Sequence, residues 1–220
     1  MPSPLASRQV RLLVTSEIGR LKAVLLHRPG REIENLTPDL LRRLLFDDIP
    51  YLPAMQAEHD VFAELLRRRG VEVLYLEHLA AEALAEERVR REFVDRLLDE
   101  SQEVAGDSSG FLRDYLLSLP PAEMVERVVA GVRKEELRKP RSHLHEWMSD
   151  THPFYLDPMP NLLFTRDPAA VIGRGVAVHR LRYEARRRES LFIDLVVRHH
   201  PAFREAGAPL WFERTERFPL

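Results

Sequence analysis

The 220-residue sequence contains no cysteine. It therefore offers no disulfide, no thiolate ligand for a metal ion and no thiol nucleophile. It has no apolar run close to the ~20 residues that span a bilayer. Its first residues, MPSPLASRQVRLLV, lack the apolar stretch and the small-residue cleavage site of a signal peptide. We expect a cytoplasmic protein with no membrane partner.

The sequence also lacks a surplus of either charge sign. The 33 basic and 35 acidic side chains give a formal net charge of -2. Binding to nucleic acid calls for a basic excess, so we expect no nucleic-acid partner. The hydrophobic fraction of 45% is ordinary for a globular protein and predicts a sizeable core.

Residues 1–76 have the order strand, helix, strand. The run KAVLLH at Lys22–His27 and the alternating VEVLYL at Val71–Leu76 are typical of β-strands. Between them, Thr37-Pro38-Asp39 predicts the start of one helix, and apolar spacing over Pro53–Arg69 predicts a longer one. Helices between strands indicate an α/β fold, so we interpret this segment as a first α/β unit.

The rest of the chain divides into a helical part and a second mixed part. Residues 77–152 have helical periodicity and almost no strand pattern, with an apolar stripe at Val89, Phe93 and Leu97, which predicts a helical insertion. Residues 153–220 are β-rich again and predict a second, incomplete α/β unit. Its predicted elements are strands at Leu162–Arg166, Ala169–Ile172 and Val176–Val178 and a helix at Glu184–His199.

Two polar residues, Asn161 and Asp167, bracket the strand predicted at Leu162–Arg166. Strand ends are where α/β proteins usually bind ligands, so these two residues are candidate binding residues. The alternative is a simple loop, because Asp-Pro is a common turn dipeptide. Spacing alone favours the loop.

A basic run, Arg186–Arg188, lies in the first turn of the predicted helix Glu184–His199, where the helix dipole disfavours positive charge. One interpretation is a solvated turn paired with Glu184 and Glu189. The other is that an arginine clamps a carboxylate through two hydrogen bonds. A histidine-rich stretch gives weaker evidence of a metal site, because i,i+2 histidines diverge on a helix, and we expect no metal there. Its residues are His143, His145, Glu146 and His152.

Five sequence motifs occur in order along the chain: SEIGRLKAVLLHRPG at Ser16–Gly30, LFDDIP at Leu45–Pro50, EHD at Glu58–Asp60, NLLFTRDP at Asn161–Pro168 and ARR at Ala185–Arg187. Together they closely resemble the arginine deiminase family of guanidino-modifying enzymes. The resemblance implies a pentein-type α/β propeller of ββαβ units with an inserted helical domain.

The resemblance also implies an activity, the hydrolysis of L-arginine to L-citrulline and ammonia through a covalent cysteine intermediate, with no metal or organic cofactor. By matching motif, Asp167 would be the catalytic residue that grips the substrate guanidinium, and Arg186 would hold the α-carboxylate. Asn161 would orient the amino-acid end, and Phe164 would pack against the side-chain stem. A guanidinium is charged at any working pH, which agrees with a carboxylate partner.

The family's cysteine nucleophile, its His-x-Asp motif and its Glu-Gly-Gly-Asp motif are not found in this sequence. Loss of a nucleophile removes many orders of magnitude in rate. We therefore expect the chain alone to be inactive. For activity we expect it to need the missing C-terminal part of the propeller as a partner. A homo-oligomer is a further partner that the sequence leaves open.

Three alternatives remain: a non-catalytic arginine-binding module, a purely structural interaction fragment, and a related guanidino enzyme such as a dimethylarginine hydrolase. The helical insertion and Leu45–Pro50 favour the deiminase.

Overall fold

The computed structural model describes residues 12–101, 108–137 and 152–214. It contains both helices and strands, which confirms the predicted α/β class. The elements in chain order are β1 (Ala23–Leu26), α1 (Arg31–Glu34), α2 (Pro38–Leu44), α3 (Leu52–Arg68), β2 (Glu72–Tyr75), α4 (Leu76–Ala83), α5 (Glu87–Asp99), α6 (Ser109–Ser118), α7 (Pro121–Ala130), β3 (Val132–Arg133), β4 (Phe154–Leu156), a 3-10 helix (Pro160–Leu163), β5 (Ala169–Ile172), β6 (Gly175–Val178), α8 (Glu184–Arg187), α9 (Glu189–His199), α10 (Pro201–Arg204) and β7 (Leu210–Phe212).

The first strands, β1 and β2, pair in parallel and are joined by a crossover that contains α1, α2 and α3. The strand predictions are confirmed, although the second strand ends at Tyr75 because Leu76 begins α4. Helix α2 starts at Pro38, as predicted, since the fixed φ angle of proline suits the first helical position. Helix α3 begins one residue before the predicted start and ends one residue before the predicted end.

The largest hydrophobic core joins α4–α7 to α9 and to strand β6. The predicted stripe of Val89, Phe93 and Leu97 is buried, which confirms that this face of α5 points inward. The rings of Phe93 on α5 and Phe192 on α9 meet edge to face, with their centroids 5.2 Å apart. The middle helices therefore share one core with the last part of the chain.

The expectation of almost no strand in residues 77–152 agrees with the described part of this range, which holds a single two-residue strand. Val132 and Arg133 form the short strand β3, which pairs antiparallel with β4. The preceding Gly131 has φ of +82°, and a Cβ there would lie 2.7 Å from the carbonyl oxygen of Leu156. Only glycine tolerates both this conformation and this approach, so the turn into β3 depends on it.

The strand predicted at Leu162–Arg166 is wrong, because this segment begins in a 3-10 helix and continues as turns. Pro160 starts the 3-10 helix. The amide of Phe164 donates to the carbonyl of Asn161 at 3.0 Å, and the amide of Asp167 donates to that of Phe164 at 3.1 Å. These local hydrogen bonds satisfy the backbone within the segment, so it needs no neighbouring strand.

The other predictions for the last segment hold with small changes. The strands at Ala169–Ile172 and Val176–Val178 are confirmed as β5 and β6, which pair antiparallel, while β7 adds in parallel to β6. The helix predicted at Glu184–His199 is two helices, interrupted at Arg188, where the amide of Leu191 donates to the carbonyl of Arg188 in a tightened turn.

No helix in the described ranges is both long enough and apolar enough to cross a membrane. Three residues of the histidine-rich stretch lie outside the described residues: His143, His145 and Glu146.

A buried ion cluster fixes the C-terminal end of β1. His27 is buried, and its Nδ1 and Nε2 lie 3.1 Å from a carboxylate oxygen of Glu77 and 3.2 Å from one of Glu32. Burial disfavours the imidazolium, but the hydrogen bonds with Glu32 and Glu77 outweigh that cost and raise the pKa of His27 to about 9. The cluster therefore joins β1 to α1 and α4 through a charged imidazolium.

We predict that His27 makes the stability of the chain depend on pH. Because its pKa in the folded state lies above that in the unfolded chain, its contribution is complete below pH 6.5 and is lost as the pH rises to about 9. The loss is on the order of 3 kcal/mol. Urea unfolding of the parent and of His27→Gln between pH 6 and pH 9.5 should show a stability difference that shrinks with rising pH.

The matched control is His78→Gln, which removes an exposed imidazole beside Glu77 and keeps His27 with both carboxylates. It should retain the pH dependence of the parent. A parent and a His27→Gln variant separated by the same free energy at every pH would contradict the charged cluster.

Candidate functional site

Three of the four candidate residues meet at one place. Nη1 of Arg186 donates to Oδ2 of Asp167 at 2.8 Å. The guanidinium carbon of Arg186 lies 5.8 Å from the centroid of the Phe164 ring, within the range of a cation–π contact. The geometry thus brings a carboxylate, a guanidinium and an aromatic face together.

Asp167 and Phe164 belong to the turns that follow the 3-10 helix, directly before β5. The carbonyl of Asp167 also accepts a hydrogen bond from Nδ1 of His179 at 2.8 Å, which ties this turn to the segment after β6. The backbone is therefore fixed while the Asp167 side chain remains 47% exposed. A ligand can reach this carboxylate.

Arg186 comes from α8, 19 residues further along the chain, and its side chain is only 15% exposed. Its Nε and Nη2 donate to the carboxylate of Glu189 at 2.8–3.1 Å. Burial disfavours its charge, but the hydrogen bonds with Glu189 and Asp167 raise the pKa of Arg186 above its usual range. The interpretation of a basic turn paired with Glu189 holds for this residue, but the pair is buried rather than solvated.

Glu189 is a further residue of the site; the sequence predicted it only as one partner of a solvated basic turn, and its burial was not predicted. Its side chain is 1% exposed, and burial raises the pKa of its carboxyl even though Arg186 acts in the opposite direction. The available signal was the i,i+3 spacing between Arg186 and Glu189. That spacing does not distinguish a buried pair from an exposed one.

The fourth candidate, Asn161, is buried and faces α2. Its Nδ2 donates to the carbonyl of Leu44 at 2.7 Å, in the last turn of that helix. The next residue, Leu45, has a left-handed conformation with φ of 61°. Asn161 therefore joins the start of the 3-10 helix to the end of α2, while its amide nitrogen is not directed at the Asp167–Arg186 pair.

A second charged cluster surrounds the buried carboxylate of Asp157. Arg43 Nε and His152 Nε2 lie 2.9 Å and 2.6 Å from its oxygens, and Nη2 of Arg188 donates to its backbone carbonyl. The pKa of the Asp157 carboxyl lies below its usual range. Burial acts to raise this pKa, but the contacts with His152, Arg188 and Arg43 together outweigh burial. His152 thus pairs with a carboxylate.

Open space beside this cluster forms a shallow cleft of about 280 Å³, including its part open to solvent. Its lining includes Arg43, Glu100, Asp157, Glu184 and Arg188. Within the described ranges no group of three or more histidine, cysteine, aspartate and glutamate side chains has the arrangement of a metal site.

Comparison with known proteins gives one consistent family. Residues 42–219 match the family model described as arginine deiminase. The chain is 57% identical over 208 residues to the arginine deiminase of Bacillus cytotoxicus, covering 94% of this chain and 51% of that protein. It is 55% identical to that of Bacillus cereus ATCC 10987, with the same coverage.

A staphylococcal relative gives the same result, since the arginine deiminase of Staphylococcus haemolyticus is 53% identical over 94% of this chain and 50% of its own length. The resemblance predicted from the five motifs is confirmed. The chain spans about half the length of the curated relatives it matches.

We predict that Asn161 stabilises the fold. The substitution Asn161→Ala removes the donor to the carbonyl of Leu44 and leaves that buried oxygen without this partner. The free energy of unfolding, measured by urea denaturation, should fall by about 1–3 kcal/mol. Asn161→Asp keeps the side-chain volume but also removes the donor, so it should cause a loss at least as large. A stability for Asn161→Ala within about 0.5 kcal/mol of the parent would contradict this role.

Proposed function

The chain belongs to the arginine deiminase family, and from that premise we propose that its Asp167–Arg186 site binds L-arginine for hydrolysis to L-citrulline and ammonia. The observation that carries this proposal is that a carboxylate and a guanidinium lie 2.8 Å apart with an accessible side. L-Arginine has a permanent cation at one end and a carboxylate at the other. Each of the two side chains is the complement of one end.

In this proposal Asp167 binds the guanidinium of the substrate, and Arg186 binds its α-carboxylate. An extended L-arginine separates those two ends by several ångströms, so the direct contact between Asp167 and Arg186 must open when the substrate enters. The exposed position of Asp167 supports this exchange, because an ion pair near water is weak. Citrulline has no charge on its ureido group, and Asp167 therefore holds the product less strongly.

Phe164 and Asn161 take supporting roles. The Phe164 ring lies beside Arg186 and is half exposed, which supports contact with the methylene stem between the two ends of the substrate. The amide nitrogen of Asn161 is engaged by Leu44, so an orienting role toward the amino-acid end falls to its amide oxygen.

The bond-breaking step needs groups that these 220 residues do not contain. In the proposed reaction a thiolate attacks the guanidinium carbon, and a general acid protonates one nitrogen of the adduct so that it leaves as ammonia. Water then hydrolyses the covalent intermediate, which releases citrulline and the thiolate. The sequence has no cysteine. We propose that the thiolate is supplied by a part of the protein outside this sequence, which agrees with relatives about twice as long.

The finer architecture is proposed on the same basis. Residues 1–76 and 153–220 would be two units of a pentein-type α/β propeller, and residues 77–152 the helical insertion between them. The parallel β1–β2 pair with its helical crossover and the mixed β5–β6–β7 sheet support two α/β units. The run of four helices from α4 to α7 supports an insertion.

The proposal is tested with a joined protein in which this chain replaces the corresponding half of the Bacillus cytotoxicus relative. We predict that the joined protein forms citrulline from L-arginine. Asp167→Asn should lower kcat/KM by on the order of 10²–10⁴, because it removes the ionic partner of the substrate guanidinium. Citrulline is measured colorimetrically under steady-state conditions.

The matched control is Asp114→Asn, which removes an exposed carboxylate from α6 and should leave the rate unchanged. A joined protein that folds but forms no citrulline would contradict the proposed reaction, as would an Asp167→Asn variant as fast as the parent. Tight binding of L-arginine by a joined protein that forms no product would instead identify an arginine-binding module.

A further inference from the structure

Arg186 is shared between two carboxylates that differ in the number of hydrogen bonds they accept from it and in their exposure to water. Glu189 accepts from Nε and Nη2, which form one edge of the planar guanidinium, and its side chain is 1% exposed. Asp167 accepts from Nη1 alone, and its side chain is 47% exposed. The first contact is two-pronged and shielded from water, whereas the second is single and open to it.

We infer that Glu189 is a positioning residue, which holds one edge of the Arg186 guanidinium permanently and leaves the Nη1 side exchangeable between Asp167 and a ligand carboxylate. The identity of that ligand rests on the proposed function, but the hold of Glu189 on Arg186 does not.

The planar shape of the guanidinium makes this division of donors possible. Its five N–H groups point in fixed directions, so a carboxylate that occupies Nε and Nη2 also sets the direction in which Nη1 points. Glu189 is itself fixed, because it opens α9, whose first nine residues are all buried. The orientation of the Arg186 guanidinium is therefore set by helix α9 and not by the exposed turn at Asp167.

The same division explains how the site can open. Without Glu189, Arg186 could turn its Nε–Nη2 edge to Asp167 and form a two-pronged pair between the two groups proposed to bind substrate. With Glu189 in place, that edge is occupied, and only one hydrogen bond must break for a ligand to enter. Helix α9 also favours a negative charge at Glu189, since this residue lies at the helix N-terminus.

The hold itself is tested by NMR on the chain with ¹⁵N-labelled arginine side chains, and the Arg186 signal is identified by its loss in Arg186→Lys. We predict that Glu189→Gln accelerates hydrogen exchange at the Arg186 Nε–H by about tenfold or more, because it weakens the charge-assisted hydrogen bonds. Asp167→Asn should leave that exchange within about twofold of the parent, since Asp167 contacts Nη1 only.

A control variant is Glu184→Gln, which removes an exposed negative charge from the same helical segment, two residues before Arg186. It should also leave the exchange unchanged. The inference is overturned if Glu189→Gln has no effect, or if Asp167→Asn accelerates exchange as much as Glu189→Gln does.

The consequence for the ligand is tested by steady-state kinetics of the joined protein. Glu189→Gln should raise KM for L-arginine about tenfold while changing kcat by less than about threefold, because Arg186 acts on binding of the carboxylate. The inhibition constant of agmatine, which has the guanidinium but no carboxylate, should change by less than about twofold.

Equal weakening of L-arginine and agmatine would overturn the positioning role, because a general structural loss affects both ligands. If the parent joined protein does not act on L-arginine, the proposed function is wrong. The exchange measurement then still decides whether Glu189 holds Arg186.

Discussion

The guanidinium of Arg186 lies between two carboxylates that come from different elements of the fold. Glu189 opens α9 and accepts from two of its nitrogens, whereas Asp167 lies in the turn before β5 and accepts from one. The geometry of the candidate site follows from this one cation. If its charge were lost, two carboxylates would face each other across a partly buried gap, which is unfavourable.

Two further carboxylates in the described residues, one buried and one partly buried, are also paired with arginines. Asp194 on α9 accepts from Arg96 on α5 at 2.6 Å and from Arg198 at 2.8 Å. Arg214, near the end of the described residues, contacts Glu100 and donates to the hydroxyl of Ser190. A buried charge is tolerated when its partners form several hydrogen bonds at once, and the guanidinium fork does so better than an ammonium group.

The elements that could be predicted from the sequence are those in which apolar residues recur with the period of a strand or a helix. Strands β1 and β2 and the buried face of α5 followed from apolar periodicity. The segment after Pro160 did not, because the run Leu162-Leu163-Phe164 is apolar enough for a strand, whereas its local hydrogen bonds form turns. Apolar content alone does not distinguish these two outcomes.

The candidate site also contains features that could be predicted from the sequence and one that could not. Asp167 and Arg186 were selected together because of the family resemblance, since a spacing of 19 residues by itself implies no contact. Glu189 was predicted only as a partner, with Glu184, of a solvated basic turn. Its burial depends on how α9 packs against the core, and that packing is set by residues far away in the chain.

The core shared by the middle helices and α9 limits how this architecture can change over evolutionary time. Phe93 and Phe192 fit against each other across it. A recombination event that exchanged only the middle helices for foreign ones would place a new surface against an unchanged α9, with gaps or overlaps at the junction. Exchange of the middle helices as an independent unit is therefore disfavoured. Substitutions on their buried faces need matching substitutions on α9, the helix that carries Glu189.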